Sequence, residues 1–203
     1  EYKGIKGFQV QTRTEDPSPT EAQVGDFYYV SSTGQFKTIS GGGASIGTWA
    51  SGGNLNQART SGRGMGGSQT ASIFISGEYS AGSNSANVEL YDGSSWTETT
   101  NVNTARRIAT AAAQTYNEAL FMGGYTTTNV ANVESWDGSS WTEVTDFSTL
   151  RRASSGAGTN DAGLYIGGMP PGGSSVALNE SWNGSSWTEV GDLNNARRNS
   201  GST

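Results

Sequence analysis

A dozen residues occur three times in this chain. "VESWDGSSWTEV" (133–144) returns as "NESWNGSSWTEV" (179–190) and, more loosely, as "VELYDGSSWTET" (88–99). The recurrence reaches well beyond that stretch. Trp49, Trp96, Trp141 and Trp187 are spaced by 47, 45 and 46 residues, and Arg59, Arg106, Arg151 and Arg197 keep the same spacing. A hydrophobic triplet followed by two small residues recurs as "IFISG" (73–77), "LFMGG" (120–124) and "LYIGG" (164–168). Tyr91, Trp136 and Trp182 each stand five residues before a repeat Trp. Several independent markers in one register define a repeat unit that must stack on its neighbours to bury its faces.

Four strand-like segments fit into each period, which predicts an all-β fold of propeller type. In the unit that starts at Arg106, "RIATAAAQ" (107–114) consists almost wholly of small residues and suits an innermost strand. "SGRGMGG" (61–67) and "RASSGAG" (152–158) share that character. "EALFMGG" (118–124) reads as a buried second strand whose glycines permit positive φ or close approach at the turn. "NVESW" (132–136) is the third strand and "SWTEVT" (140–145) the outer fourth. Asp-Gly and Asn-Gly between them favour primed hairpin turns. The repeated dozen is therefore the outer hairpin of a blade. Blades are expected at about 60–99, 106–145 and 151–190, with a fourth begun at 197.

The first residues differ from the array. All three lysines (Lys3, Lys6, Lys37) precede residue 38, and every later basic residue is Arg. Pro17 and Pro19 interrupt this part, and "VGDFYYVSSTGQFKTI" (24–39) reads as a hairpin with a Gly turn. "SGGGAS" (40–45) has the composition of a flexible joint. The expected organisation is 1–39 as an attachment or stem segment, 40–46 as a Gly-rich joint and 47–203 as the repeat array. Only three full blades fit, and "GTWASGG" (47–53) matches an outer strand without partners. Further blades are expected beyond Thr203, and with Glu1 in place of Met this start is not expected to be the encoded one.

Composition narrows the chemistry. The chain holds neither His nor Cys among its 203 residues, which removes imidazole bases, thiol nucleophiles and the usual zinc and copper ligands. The net charge is −6 and no basic patch stands out, which argues against nucleic-acid binding. No apolar run is long enough to span a bilayer, so no membrane insertion is expected. Six Trp, eight Tyr and six Phe argue against disorder in spite of 30 Gly.

A Gly pair after a hydrophobic strand, then an aromatic, a Trp and an Arg, resembles the kelch motif over roughly residues 47–203. The resemblance implies a β-propeller. The aromatic-to-Trp spacing is shorter than usual for that family. Copper oxidase chemistry found on some kelch propellers needs histidines and a cysteine-linked tyrosine, so the resemblance carries fold and not that activity. The hairpin "VGDFYYVSSTGQFKTI" is similar to short hairpins in bacteriophage tail-fibre and appendage proteins. The "DGSSWTEV" units resemble those of predicted structural proteins of marine phages.

The pairs Arg106/Arg107, Arg151/Arg152 and Arg197/Arg198 could form an anion-binding ring. Alternatively, the first Arg of each pair bridges blades, donating to carbonyls or to Glu98, Glu143 and Glu189. "SWDGSSW" (135–141) nearly matches the Asp-box of sialidase propellers but is one residue short between Asp137 and Gly138. Glu89, Glu134 and Glu180 recur with the blades, whereas a glycosidase pair is needed once. Trp96, Trp141 and Trp187 could stack on sugars or pack between blades, and their regularity favours packing. No catalytic, cofactor-binding or metal residue is assigned. The expected protein is a non-enzymatic tail-fibre-like or surface-decorating component of a phage virion. Its N-terminal segment would hold other virion proteins, its propeller would face a host glycan or protein, and the resemblance implies a homotrimer. The alternatives are a carbohydrate-binding or carbohydrate-active propeller and a kelch-type interaction adaptor.

Overall fold

The computed structural model of the chain describes residues 11–18, 27–38, 51–80 and 82–200. Two compact units are present, Glu1–Ala50 and Ser51–Thr203. The expected joint at 40–46 lies outside the described residues. All regular structure among the described residues is β, and none of them forms a helix long and apolar enough to cross a membrane.

In the first unit, β1 (Gln11–Arg13), β2 (Phe27–Val30) and β3 (Gln35–Thr38) make a three-stranded sheet. β2 and β3 are the hairpin read from the sequence, closed by Gly34 at φ 70°. β1 joins in parallel to β2, pairing Gln11 with Tyr28 and Arg13 with Val30. Three residues without hydrophobic alternation gave no sign of this strand. Asp16 ties the sheet together: it accepts the Tyr28 hydroxyl at 3.1 Å and pairs with Lys37 at 2.8 Å.

The second unit holds three four-stranded antiparallel sheets. Sheet one is β4 (Arg63–Ser68), β5 (Ala71–Ser80), β6 (Ser83–Tyr91) and β7 (Trp96–Thr99). Sheet two is β8 (Thr110–Thr115), β9 (Glu118–Met122), β10 (Val133–Trp136) and β11 (Trp141–Val144). Sheet three is β12 (Ser155–Gly158), β13 (Gly163–Ile166), β14 (Asn179–Trp182) and β15 (Trp187–Val190). Each is a meander whose strands follow chain order.

The first strands of successive sheets lie side by side, β4 against β8 and β8 against β12. Their small residues are a steric requirement. A Cβ on Gly67 would sit 2.4 Å from the Gln114 carbonyl oxygen, and one on Gly156 would sit 2.4 Å from that of Ala111. β9 reads as an unbroken apolar run because both of its faces are covered. Phe121 and Ala119 pack with Ile73, Ile75 and Val88 of sheet one, whereas Leu120 and Met122 pack with Tyr165 and Trp182 of sheet three. On sheet three the equivalent of Leu120 is Leu164, which is 38% exposed against 0% for Leu120.

Residues 197–200 carry no strand, as 106–109 and 151–154 carry none, and the positions equivalent to β8 and β12 begin at 201, outside the described residues. Residues 51–53 of "GTWASGG" are not strand either, and 47–50 lie outside the described residues. Both segments nevertheless occupy repeat positions. Gly168 donates its N–H to the Arg197 carbonyl at 2.9 Å, as Gly124 does to Arg151. The Gly53 carbonyl accepts the Trp96 indole N–H at 3.1 Å, as Thr100 accepts that of Trp141.

Candidate functional site

The most regular charges in the chain form buried pairs. Arg59, Arg106 and Arg151 bind Glu89, Glu134 and Glu180, and all six side chains are buried. The Arg59–Glu89 distance is 2.8 Å and the Arg151–Glu180 distance 2.7 Å. This overturns the expectation that Glu98, Glu143 and Glu189 are the partners. Glu98 and Glu143 accept instead from Asn87 and Asn132 on the exposed side of their hairpins. Each pair of acids lies directly across one hairpin, Glu134 opposite Glu143 and Glu180 opposite Glu189. The Arg side chain reaches the acid of the third strand, which lies deeper in the sheet.

The expectation that these arginines donate to carbonyls and join neighbouring sheets agrees with the geometry. Arg106 Nη2 donates to the Phe121 carbonyl at 3.0 Å, and Arg151 Nη1 to that of Leu178 at 2.8 Å. The Arg106 guanidinium lies 4.2 Å from the Phe121 ring centre, and that of Arg151 lies 4.7 Å from Tyr165. Meanwhile the Arg106 carbonyl accepts the Gly77 N–H and the Ser76 hydroxyl of the preceding sheet. One residue thus docks its backbone on one sheet and its side chain in the next. Burial pulls both guanidinium groups below their ordinary pKa, and the carboxylates oppose that shift. Glu134 also accepts the Asn103 N–H at 2.6 Å, and Glu180 that of Ser148 at 2.9 Å. Each of these two carboxylates is thus held by its arginine and by a backbone N–H of the loop beside it.

The repeated aromatics are spoken for in the same way. The Trp141 indole N–H reaches across to the Thr100 carbonyl at 3.1 Å, and that of Trp187 to Thr145 at 2.9 Å. Each stacks on its cross-strand neighbour, with ring centres 5.2 Å apart for Trp136–Trp141 and 5.3 Å for Trp182–Trp187. In the "DGSS" turns only the glycine takes positive φ, 98° at Gly93 and 92° at Gly138. The aspartates act as local acceptors. Asp137 takes the N–H groups of Ser139 and Ser140, each at 2.8 Å, which holds its carboxyl well below the usual range.

Another relationship repeats where the first strands converge. Ser61, Ile108, Ala153 and Asn199 all have left-handed backbone, with φ of 55°, 53°, 56° and 54°. Their backbones form a chain of hydrogen bonds from repeat to repeat. Ile108 N–H donates to Ser61 at 2.9 Å, Ala153 to Ile108 at 2.9 Å and Asn199 to Ala153 at 2.7 Å. Left-handed backbone is costly for a side-chain-bearing residue, most of all a β-branched one. The inter-sheet bonds offset that cost.

These four residues, each with the residue after it, line a cavity of about 370 Å³ together with Arg63. Arg63 is single-copy. Thr110 and Ser155 take its place in sheets two and three, and Thr110 too has a buried hydroxyl without a hydrogen-bond partner. Nε and Nη2 of Arg63 are buried and make no hydrogen bond. Burial pushes its pKa down. The second arginines of the pairs stand next to the lining residues. Arg107 and Arg152 stack against Tyr125, at 4.9 and 4.6 Å from its ring centre. Arg107 also bonds Asn84 at 2.8 Å and lies 3.6 Å from Glu78, and Arg198 donates to the Gly173 carbonyl at 3.2 Å. Among the described residues no group of three or more acidic side chains could hold a metal ion.

Sequence reasoning did not single out Arg63 or the four left-handed residues. Arg63 was visible as the one charged side chain in "SGRGMGG". Ser, Ile, Ala and Asn share no side-chain signature.

No protein-family model matches the chain, and no curated protein matches it. Among solved structures, the chain is similar to YjhT, with a TM-score of 0.57 and 16% identity over 81% of this chain. It covers 51% of the YjhT chain and so spans about half that protein's length. At that identity the likeness concerns the fold alone.

Proposed function

We propose that the three sheets are successive blades of a kelch-like propeller, and that the chain is a non-enzymatic, tail-fibre-like or surface-decorating component of a bacteriophage virion. The observation that carries the non-enzymatic reading is the use made of the repeated charges. Glu89, Glu134 and Glu180, the acids a glycosidase would draw on, are each buried against an arginine. The repeated Trp side chains hold one sheet to the next. Such an array is a rigid body suited to display.

The attachment role of residues 1–39 is supported by the resemblance of the hairpin to those of phage appendages. Phe27 and Phe36 stack at 5.4 Å on that hairpin and are both exposed, an apolar pair suited to another virion protein. In this reading the propeller projects as an adhesin or spacer towards a host glycan or protein, and the particle carries the chain as a homotrimer. Quantitative mass spectrometry of purified phage particles is the test. Stoichiometric recovery with the particle is expected. Recovery only in the lysate, absent from the particles, contradicts the reading.

A further inference from the structure

We propose that Asn183 is a self-modifying site: the backbone nitrogen of Gly184 attacks its side-chain amide, and the residue becomes an aspartate like those of the two preceding turns. Water is the one co-reactant. The inference goes beyond the display role and does not depend on it.

Asn183 is the one asparagine of the chain that a glycine follows, so no side chain shields the attacking nitrogen. Asn183, Gly184, Ser185 and Ser186 are all exposed, open to the water the reaction consumes. The Gly184 N–H makes no hydrogen bond among the described residues and is free to lose its proton. The amide oxygen, by contrast, is held. Asn183 Oδ1 accepts the N–H of Ser185 at 3.0 Å, the N–H of Ser186 at 2.9 Å and the Ser185 hydroxyl at 3.0 Å. When the Gly184 nitrogen adds to Cγ, that oxygen becomes an oxyanion, and donors already aimed at it stabilise the intermediate. The turn is fixed at both ends, by the Asn183 N–H on the Ser186 carbonyl at 3.3 Å and by Trp182 against Trp187 at 5.3 Å.

The step balances without a redox partner. Hydroxide takes the Gly184 N–H proton, the nitrogen bonds to Asn183 Cγ, and the Cγ–Nδ2 bond breaks. Nδ2 leaves as ammonia with a proton from water, and a cyclic imide remains. Water then opens the ring. Cleavage of the new Cγ–N bond gives aspartate, and cleavage of the main-chain bond gives isoaspartate. Ring closure from either acid runs through the protonated carboxyl. In sheets one and two the same turn keeps Asp92 and Asp137 ionised, through the N–H groups of Ser95 and Ser94 and of Ser140 and Ser139. An aspartate at 183 meets the same donors and does not return to the imide. Isoaspartate carries its extra methylene in the main chain, its carboxyl leaves those donors, and it recloses. The conversion therefore runs one way, towards aspartate in all three turns.

The test incubates the whole chain at mildly alkaline pH, folded in buffer and unfolded in urea, with the Asn183→Asp variant alongside. Trypsin cuts after Arg152 and Arg197, and the peptide 153–197 is followed by mass spectrometry. Fragmentation places the mass gain of amide-to-acid conversion and separates aspartate from isoaspartate. The folded chain is expected to convert Asn183 at least as fast as the unfolded chain, before any other asparagine of the peptide, and to give a larger share of aspartate. Folded Asn183→Asp is expected to stay free of isoaspartate. The proposal is overturned if the folded chain converts Asn183 more slowly than the unfolded one, or if its aspartate share is no larger. It is equally overturned if another asparagine of the peptide converts first, or if isoaspartate builds up in the folded variant.

Discussion

The carbonyl of Arg151 accepts the N–H of Gly124 at 3.0 Å, while the guanidinium of Arg151 lies 2.7 Å from Glu180. Gly124 follows the second strand of sheet two and Glu180 belongs to sheet three. The residue therefore works as a rivet, and its removal strands a buried carboxylate. Arg151→Ala should cost about 3–5 kcal/mol, the usual loss when one partner of a buried pair is deleted. Arg151→Met combined with Glu180→Leu should cost much less, because no lone charge remains. Guanidinium denaturation of the three proteins gives the comparison. A loss under about 1 kcal/mol for Arg151→Ala contradicts the account.

Gly123→Ala should be disproportionately damaging. Gly123 has φ 58°, and an added Cβ would lie 2.2 Å from the Tyr165 hydroxyl oxygen. Burial pushes the Tyr165 phenol up to about 12, so it stays protonated and donates to the Arg151 carbonyl at 2.9 Å. The left-handed backbone alone costs alanine about 1–2 kcal/mol, and the clash adds to it. In a Tyr165→Phe background the same substitution should cost less, since one obstructing oxygen is gone, although the Arg151 carbonyl oxygen, 2.7 Å from the added Cβ, still resists it. Thermal melts of the four members of the cycle measure the coupling. Strict additivity would mean that the hydroxyl is not the obstacle.

The turns predict a graded response to acid. Asp92 and Asp137 have carboxyls held well below their ordinary value of 3.8, first by the N–H groups of Ser95 and Ser140 respectively. A folded value below the unfolded one means that these groups stabilise the fold above about pH 4. Their contribution is lost as pH falls from there through the folded values. Sheet three has Asn183 at this place, which accepts the N–H groups of Ser185 and Ser186 without titrating. Asp92→Asn with Asp137→Asn should therefore flatten the decline of stability below pH 4 and lower stability at pH 7 by the part that the charge supplies. An unaltered acid profile in urea titrations contradicts this.

The strands were legible because their constraints act on side chains. β9 shows as "EALFM" since both faces are covered, and β8 shows as "TAAAQ" since β4 and β12 crowd it. The arginine partners were misread for a definite reason. Glu89 and Glu98, Glu134 and Glu143, and Glu180 and Glu189 sit opposite one another, so both sets recur with the same period. Spacing cannot say which acid of a cross-strand pair an incoming arginine reaches. The left-handed residues were hidden because their role belongs to the backbone. Ser61, Ile108, Ala153 and Asn199 have nothing in common except N–H and C=O. Arg63 was legible as an exception to the repeat, but the burial of its Nε and Nη2 follows only from the packing of the sheets.

The central claim is that the sheets are joined by a continuous backbone connection at their first strands, and native-state hydrogen exchange tests it most directly. Ile108 and Ala153 lie outside the strands, and as ordinary loop residues their amides would exchange quickly. Each instead donates at 2.9 Å to the preceding repeat, and its release requires neighbouring sheets to separate. The account predicts that both amides exchange only through global unfolding, with protection equal to that of Phe121 in β9. Exchange of Ile108 and Ala153 at loop rates, with Phe121 still protected, would contradict it.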